Sequence, residues 1–361
     1  ATRGYLKEKN EEAYAKVFTI HYPDEERIAA RPLKQAPCYG RMKNLGAVFG
    51  SIYGWERPNW FAPEGYELTE ADLAKPDSLL NENHPQPATG EPIREKWSFR
   101  RSNYFPFVGE EVKNVLENVG IQDMSPFAKA WVAGPGAEAW LDSILANRIP
   151  KKVGRIGLCH LLSANGGVRS EFTVYRRDEG FYLVSAGAWE RHDHDTLMKL
   201  MPTDGSVRMF PVTTQWGVLV VAGPNSRALL MKLTDTDLSN EAFPWLTGKR
   251  IDIGPAHVHA LRVNFVGELG WELHHPIEMQ NTIFDRIMDA GAEFGIRPFG
   301  IRAMMAMAIE KSYRLIGREL SIEYAAFESG LDRFVHPNKG AFLGRDALVR
   351  WRERGFNYRF V

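Results

Sequence analysis

One pattern occurs twice in this chain. Val132-Ala-Gly-Pro-Gly-Ala-Glu-Ala-Trp-Leu141 is echoed by Val221-Ala-Gly-Pro-Asn-Ser-Arg-Ala-Leu-Leu230. In both copies an apolar run of strand character meets Gly-Pro and continues into a helix-forming stretch. A solenoid needs more copies at a shorter period, so two widely spaced copies predict two similar subdomains facing one another. A cleft between such halves is a natural ligand site.

Between the copies, Asn165-Gly-Gly167 joins two apolar runs and predicts a hairpin. On the returning strand Val168, Ser170, Phe172 and Val174 alternate with Arg169, Glu171, Thr173 and Tyr175. Glu171 therefore shares a face with Arg169, where an ordinary surface ion pair accounts for it as well as a placed carboxylate does. A second hairpin is predicted further on. Leu261, Val263 and Phe265 alternate with Arg262 and Asn264, Gly267 and Gly270 punctuate, and Trp271 and Leu273 return, which puts Glu272 and His274 on one face. Taken alone, that hairpin leaves Glu268 and Glu272 as solvated charges.

The remaining pieces are coarser. Helices are predicted over Val108 to Val119, Ala137 to Leu145, Pro276 to about Phe294, and from near Gly300 through Met304, Met305, Ala308 and Ile309. Arg302 stands in the first turn of the last of these, where a cation opposes the helix dipole, so an acidic or carbonyl partner outside the helix is expected. His192-Asp-His-Asp195 has a metal-like composition but lies in a helix-forming stretch, where that spacing splits the side chains around the axis; no metal is expected. A charged helix from Lys7 to Lys16 has too thin an apolar stripe to stand alone. Leu45 to Tyr53 reads as a buried strand, and Gly54-Trp-Glu-Arg-Pro-Asn-Trp-Phe61 as an aromatic plug at a domain junction or a packed surface turn. Pro63 to Pro92 reads as a loop carrying Pro76, Pro85 and Pro87.

Composition narrows the partners. Forty-five basic residues balance forty-five acidic ones, so no overall field draws the chain to nucleic acid or an anionic membrane, and a small-molecule partner is expected. Cys38 and Cys159 match no zinc or redox spacing, which points to a reducing, cytoplasmic-type compartment. No apolar run approaches the roughly 18 residues of a membrane span.

Together, Asp123-Met-Ser125, the Asn-Gly-Gly hairpin ending at Glu171, Phe265-Val-Gly-Glu-Leu-Gly-Trp-Glu272, Gly300-Ile-Arg302 and Lys339-Gly-Ala-Phe-Leu-Gly-Arg345 resemble the tetrahydrofolate-binding aminomethyltransferase family of the glycine-cleavage T-protein. The resemblance covers roughly residues 97 to 350. Arg31-Pro-Leu, Gly46-Ala-Val-Phe-Gly50 and Gly54-Trp-Glu-Arg-Pro58 look like the junction after the flavin domain of dimethylglycine and sarcosine dehydrogenases.

The resemblance implies an α+β fold, two similar antiparallel-sheet and helix subdomains around a central cleft. It implies a junction segment over 1–62 that packs on a flavin domain, a linker over 63–96, and folate-binding subdomains over 97–200 and 201–361, the family's final β-barrel being absent from the sequence. Glu272 inherits the pterin-binding role, Arg302, Phe265 and Asn165 further folate contacts, and Glu171 the place of the proposed catalytic carboxylate, usually aspartate. The implied cofactor is tetrahydrofolate. The implied activity is capture of formaldehyde or an iminium from N-demethylation of dimethylglycine or sarcosine as 5,10-methylene-tetrahydrofolate. No Gly-x-Gly-x-x-Gly follows a strand, so FAD is expected on a missing domain or a partner subunit. In a eukaryote the family implies the mitochondrial matrix. The alternatives are a non-catalytic folate-binding accessory protein, which carries a cysteine where this chain has Ala341, and a stand-alone demethylase of an activated methyl donor.

Overall fold

The structure, a computed structural model, describes residues 2–74 and 92–360. Pro76, Pro85 and Pro87 of the expected loop lie outside the described residues. The chain begins with α1 (Arg3–Ala15), α2 (Tyr39–Asn44) and the antiparallel pair β1 (Ala47–Ile52) and β2 (Trp55–Phe61), followed by a short α3 (Glu70–Ala74). Next come α4 (Phe105–Glu117), β3 (Gly120–Asp123), β4 (Ala128–Ala133) and α5 (Ala137–Ile144). The strands β5 (Ile156–Leu162), β6 (Val168–Arg177) and β7 (Gly180–Ser185) lead to α6 (Glu190–Leu200), β8 (Arg208–Pro211), β9 (Trp216–Ala222) and α7 (Ser226–Met231). The last third holds β10 (Gly248–Ile253), β11 (Ala256–Leu261), β12 (Gly270–Pro276), α8 (Gln280–Gly291), β13 (Arg297–Pro298), α9 (Ile301–Glu310) and α10 (Arg345–Arg354).

Two sheets organise these elements. One runs β5-β6-β7-β4-β8, the other β10-β11-β12-β9-β3-β13, and only the β13–β3 pair is parallel. Sheet membership interleaves along the chain, since β3 joins the second sheet and β8 the first. The repeated Val-Ala-Gly-Pro pattern is the exit of an inner strand into its covering helix in both sheets: β4 into α5 and β9 into α7. Gly134 and Gly223 both have positive φ, and a Cβ at either would lie within 2.6 Å of a carbonyl oxygen, which explains why the turn repeats with glycine.

Each sheet buries its outer face under helices. Val132, Trp140, Leu141, Phe172, Val174 and Leu197 form one such core, and Leu219, Val221, Trp271, Leu273, Ile283 and Ile287 the other. The inner faces meet each other, with Ile156, Tyr175, Tyr182 and Val184 of the first sheet packed in one cluster with Leu261 of the second.

The N-terminal segment is strapped across this body. The Arg31 guanidinium pairs with Glu56, while Arg41 makes two 2.6 Å bonds to Asp285 on α8. Beneath them runs a fully buried polar network. The Cys38 thiol donates to Asp123 at 3.1 Å, the Gln280 amide donates to Cys38 Sγ at 3.0 Å, and Ser125 Oγ donates to Gln280 while accepting from the Val218 N–H. Asp123-Met-Ser125 is thus a structural knot. Burial holds the Cys38 thiol well above the usual thiol range, with the Asp123 carboxylate adding to it, so it is an inert donor.

Glu111 of α4 joins three elements, accepting from the Phe61 N–H of β2 at 2.7 Å and from the Gly300 N–H at the start of α9 at 2.8 Å. The expected aromatic plug is real in composition but extended in form: Trp60 of β2 stacks on Phe107 at 5.4 Å, with Tyr66 and Tyr104 around it. Two expectations need correction. Residues 262–269 are a loop, not a continuing strand, because Asn264 Oδ1 accepts from the Val266 and Gly267 N–H groups and its amide donates to the Glu268 carbonyl, an arrangement that competes with a ladder. Pro276 closes β12 instead of opening a helix, and α8 starts after a single 3-10 turn.

Candidate functional site

Strand alternation turns both expected carboxylates inward. Glu171 shares its face of β6 with Thr173 and Tyr175, and Tyr175 belongs to the cluster between the sheets. On β12, Trp271 and Leu273 enter the outer core, so Glu272 and His274 face inward. The register supplies the floor between them. Tyr175, Tyr182 and Trp131 lie in one cross-strand row and Thr173, Val184 and Lys129 in the next.

Glu272 is 7% exposed, and burial alone pushes its carboxyl up to about 8. Its Oε2 is 3.2 Å from His274 Nε2, and His274 Nδ1 is 3.1 Å from the Tyr182 hydroxyl, so a hydrogen-bonded chain crosses from one sheet to the other. Burial lowers His274 to about 3, with the Lys129 ammonium adding to it, and the imidazole is neutral. Lys129 is buried as well, donating to the Ser125 and Trp216 carbonyls at 2.8 and 2.6 Å, and burial lowers it to about 7. A cleft of about 370 Å³ lined by Trp131, Arg177, Tyr182, Phe210 and Trp216 opens beside this chain.

Glu171 is bonded to His160, whose Nε2 lies 3.0 Å from Glu171 Oε1. A surface ion pair with Arg169, the ordinary alternative for Glu171, is not among the ion pairs of the described residues, where Glu171 pairs with His160. Val220 stands opposite Glu272 in register and shares an apolar cluster with Met304, against which Phe265 packs. The structure thereby brings Phe265 to the same wall as Glu272, with Tyr313 against the Phe265 ring at 5.5 Å. Glu268, by contrast, pairs with Lys311 at a partly exposed position.

Arg302 has the acidic partner its helix position calls for. Both its terminal nitrogens bond the Glu95 carboxylate, at 2.9 and 2.7 Å, and its guanidinium lies 3.6 Å from the Tyr104 ring centroid. Trp60 donates to the same carboxylate at 3.0 Å. Glu95→Ala is expected to destabilise the chain by about 3 kcal/mol, because it strands a largely buried guanidinium. Urea unfolding checks this, and a loss under about 1 kcal/mol would show that the pair behaves as an exposed one.

Asn165 is not brought to the carboxylates. Its side chain is exposed at the hairpin tip, where its carbonyl accepts from the Trp351 indole of α10 at 3.0 Å. His192 and Asp193 bond each other on α6, and among the described residues no cluster of three His, Cys, Asp or Glu forms. Nor is any helix among them long and apolar enough to cross a membrane. Sequence reasoning missed His160, Tyr182 and Lys129, whose roles come from pairing across strands; only His274 was flagged, through its alternation with Glu272.

Residues 38–339 match the family described as the GCVT N-terminal domain, and residues 1–36 the FAD dependent oxidoreductase central domain. The chain is 36% identical over 363 residues to mitochondrial dimethylglycine dehydrogenase of Mus musculus, covering all of this chain and 39% of that protein. It is 30% identical over 375 residues to mitochondrial sarcosine dehydrogenase of Homo sapiens, covering 99% of this chain and 40% of that protein. The chain therefore spans about two fifths of the length of these curated relatives. Among solved structures, glycine cleavage system aminomethyltransferase T from Bartonella henselae shares the fold, with a TM-score of 0.68 at 19% identity over 90% of this chain and 76% of that one.

Proposed function

Because the chain belongs to the GCVT N-terminal domain family, we propose that it binds tetrahydrofolate and transfers a one-carbon unit to it, as the folate part of an oxidative N-demethylase of dimethylglycine or sarcosine. One observation carries the reading: strand alternation turns Glu171 and Glu272 to the inward faces of their separate sheets, and the deeper one, Glu272, is buried beside a neutral histidine. A buried carboxylate so placed suits a ligand that brings its own donors, and the 2-amino-pyrimidinone edge of a pterin offers two parallel N–H groups.

When bound, tetrahydrofolate would supply the two amine nitrogens that take up formaldehyde, with loss of water, or an iminium, with loss of the demethylated amine, as 5,10-methylene-tetrahydrofolate. The chain's own residues do the rest. Glu272 orients the ring by accepting its N–H donors, and Phe265 with Tyr313 offers an aromatic wall. Glu171, held through Oε1, has Oε2 to take the proton released when the second nitrogen bonds the carbon. The guanidinium of Arg302 is already shared by both oxygens of Glu95, so in this reading it braces α9 and its ring wall instead of touching the ligand. Asn165 acts at a distance, through the hairpin tip that α10 holds.

Residues 1–62 are, in this proposal, the segment that packs on a flavin-bearing domain or subunit, with 63–96 as linker, and the folate-binding subdomains expected over 97–200 and 201–361 exchange β3 and β8 between their sheets. The match of residues 1–36 to an oxidoreductase domain supports it. So does α1, which buries no residue, and the run after it, where Phe18 is 96% exposed.

Titration with tetrahydrofolate, followed by tryptophan fluorescence, tests the reading. Saturable binding is expected, and no binding by a folded chain would reject it. Affinity should also depend on pH. A carboxyl at about 8 is mostly protonated at neutrality and must ionise to accept two donors. Binding should therefore weaken by up to about tenfold for each unit below pH 8 and level off above it. Lys129 titrates in the same window, so Glu272→Gln is the control, and its affinity should lose most of that slope.

A further inference from the structure

Glu171 has a fixed companion. His160 stands directly opposite it in the β5–β6 register, with its ring fully buried. The strand main chain holds it on both sides, through the ladder to β6 and through the Ala146 N–H, which donates to the His160 carbonyl at 2.9 Å. Phe334 flanks the ring at 6.0 Å.

The two ring nitrogens differ. Nε2 meets Glu171 Oε1 at 3.0 Å, whereas Nδ1 is buried and meets no hydrogen-bond partner among the described residues. A neutral imidazole carries one N–H and one bare lone pair. Orphaned buried N–H groups are rarer than under-satisfied acceptors, because the donor loses its whole interaction with water. The proton therefore belongs on Nε2, aimed at Glu171.

We propose that His160 is a positioning residue for Glu171, donating its Nε2–H so that the carboxylate is held as an acceptor with Oε2 turned to the inter-sheet space. This rests on the role proposed above for Glu171. The contrast with the second carboxylate sharpens it. His274 has both nitrogens engaged, by Glu272 and by the Tyr182 hydroxyl, so it accommodates either tautomer and allows Glu272 to hold or release a proton. His160 has no such second partner, and Glu171 is kept in the one role of accepting.

Two substitutions of similar size separate positioning from packing. His160→Gln keeps an N–H at comparable reach, and His160→Met fills the space without one. In the full chain supplied with tetrahydrofolate and formaldehyde, His160→Met should lower the single-turnover rate above the uncatalysed condensation by about 10- to 100-fold. Its folate Kd should stay within about threefold, and His160→Gln should return the rate to within about threefold of the parent. Equal rates in the two variants would overturn the proposal. Should His160→Met not fold, nitrogen-15 NMR of the unsubstituted chain decides. An Nε2-protonated His160 whose resonance moves in Glu171→Gln supports the assignment, and an Nδ1-protonated ring overturns it. Full activity in Glu171→Gln would instead reject the role of Glu171 itself and leave the tautomer result as a separate fact.

Discussion

Glu272→Ala should weaken tetrahydrofolate binding by about 100- to 10,000-fold. Two charge-assisted hydrogen bonds are lost, each worth about 1.5–3 kcal/mol, and every 1.4 kcal/mol is tenfold in affinity. Fluorescence titration at pH 8.5, where the parent carboxyl is ionised, measures the full difference. An affinity within threefold of the parent would remove Glu272 from the site. The same residue should act oppositely on the empty chain. Its folded value of about 8 lies above the ordinary 4.5, so the stability it contributes is complete below 4.5 and lost as pH rises through 8. Glu272→Gln should therefore raise the melting temperature at pH 8.5 while weakening the ligand, which separates a binding defect from unfolding.

The second large effect falls on rate. Glu171→Gln keeps size and hydrogen-bonding capacity but cannot take a proton, so one-carbon transfer should slow by about 100- to 10,000-fold with folate affinity little changed. Single-turnover formation of 5,10-methylene-tetrahydrofolate, corrected for the uncatalysed reaction, gives the number. A rate within fivefold of the parent would mean that Glu171 only supports the sheet.

The two-part architecture was legible because its strongest marker is local: Gly-Pro after an apolar strand fixes the same turn in β4–α5 and β9–α7. Strand alternation likewise put Glu171 and Glu272 on definite faces, though not the faces' surroundings. β3 went unread because its four residues are all buried and show no alternation. The strand continued through Phe265 on paper because Asn264 occupies a polar position in the period, and its side-chain bonds to the turn are invisible to a periodicity count. His160 is invisible for a different reason: it and Glu171 are eleven residues apart in sequence and become neighbours only through the register. Arg302 was correctly denied a solvent role, but its partner, Glu95, lies 207 positions away.

The buried knot of Cys38, Asp123, Ser125 and Gln280 sets a timetable for synthesis. Cys38 and Gln280 are separated by 242 positions and Arg41 and Asp285 by 244. Neither contact can close until α8 has been synthesised, and such long closures are slow to form. Throughout that interval the segment carrying Cys38 and Arg41 lacks its partners on α8. A polypeptide interrupted before α8 would leave Cys38 and Ser125 without Gln280 and Arg41 without Asp285. Nascent chains released at graded lengths should become protease-resistant abruptly once α8 has emerged, not stepwise as each sheet is completed.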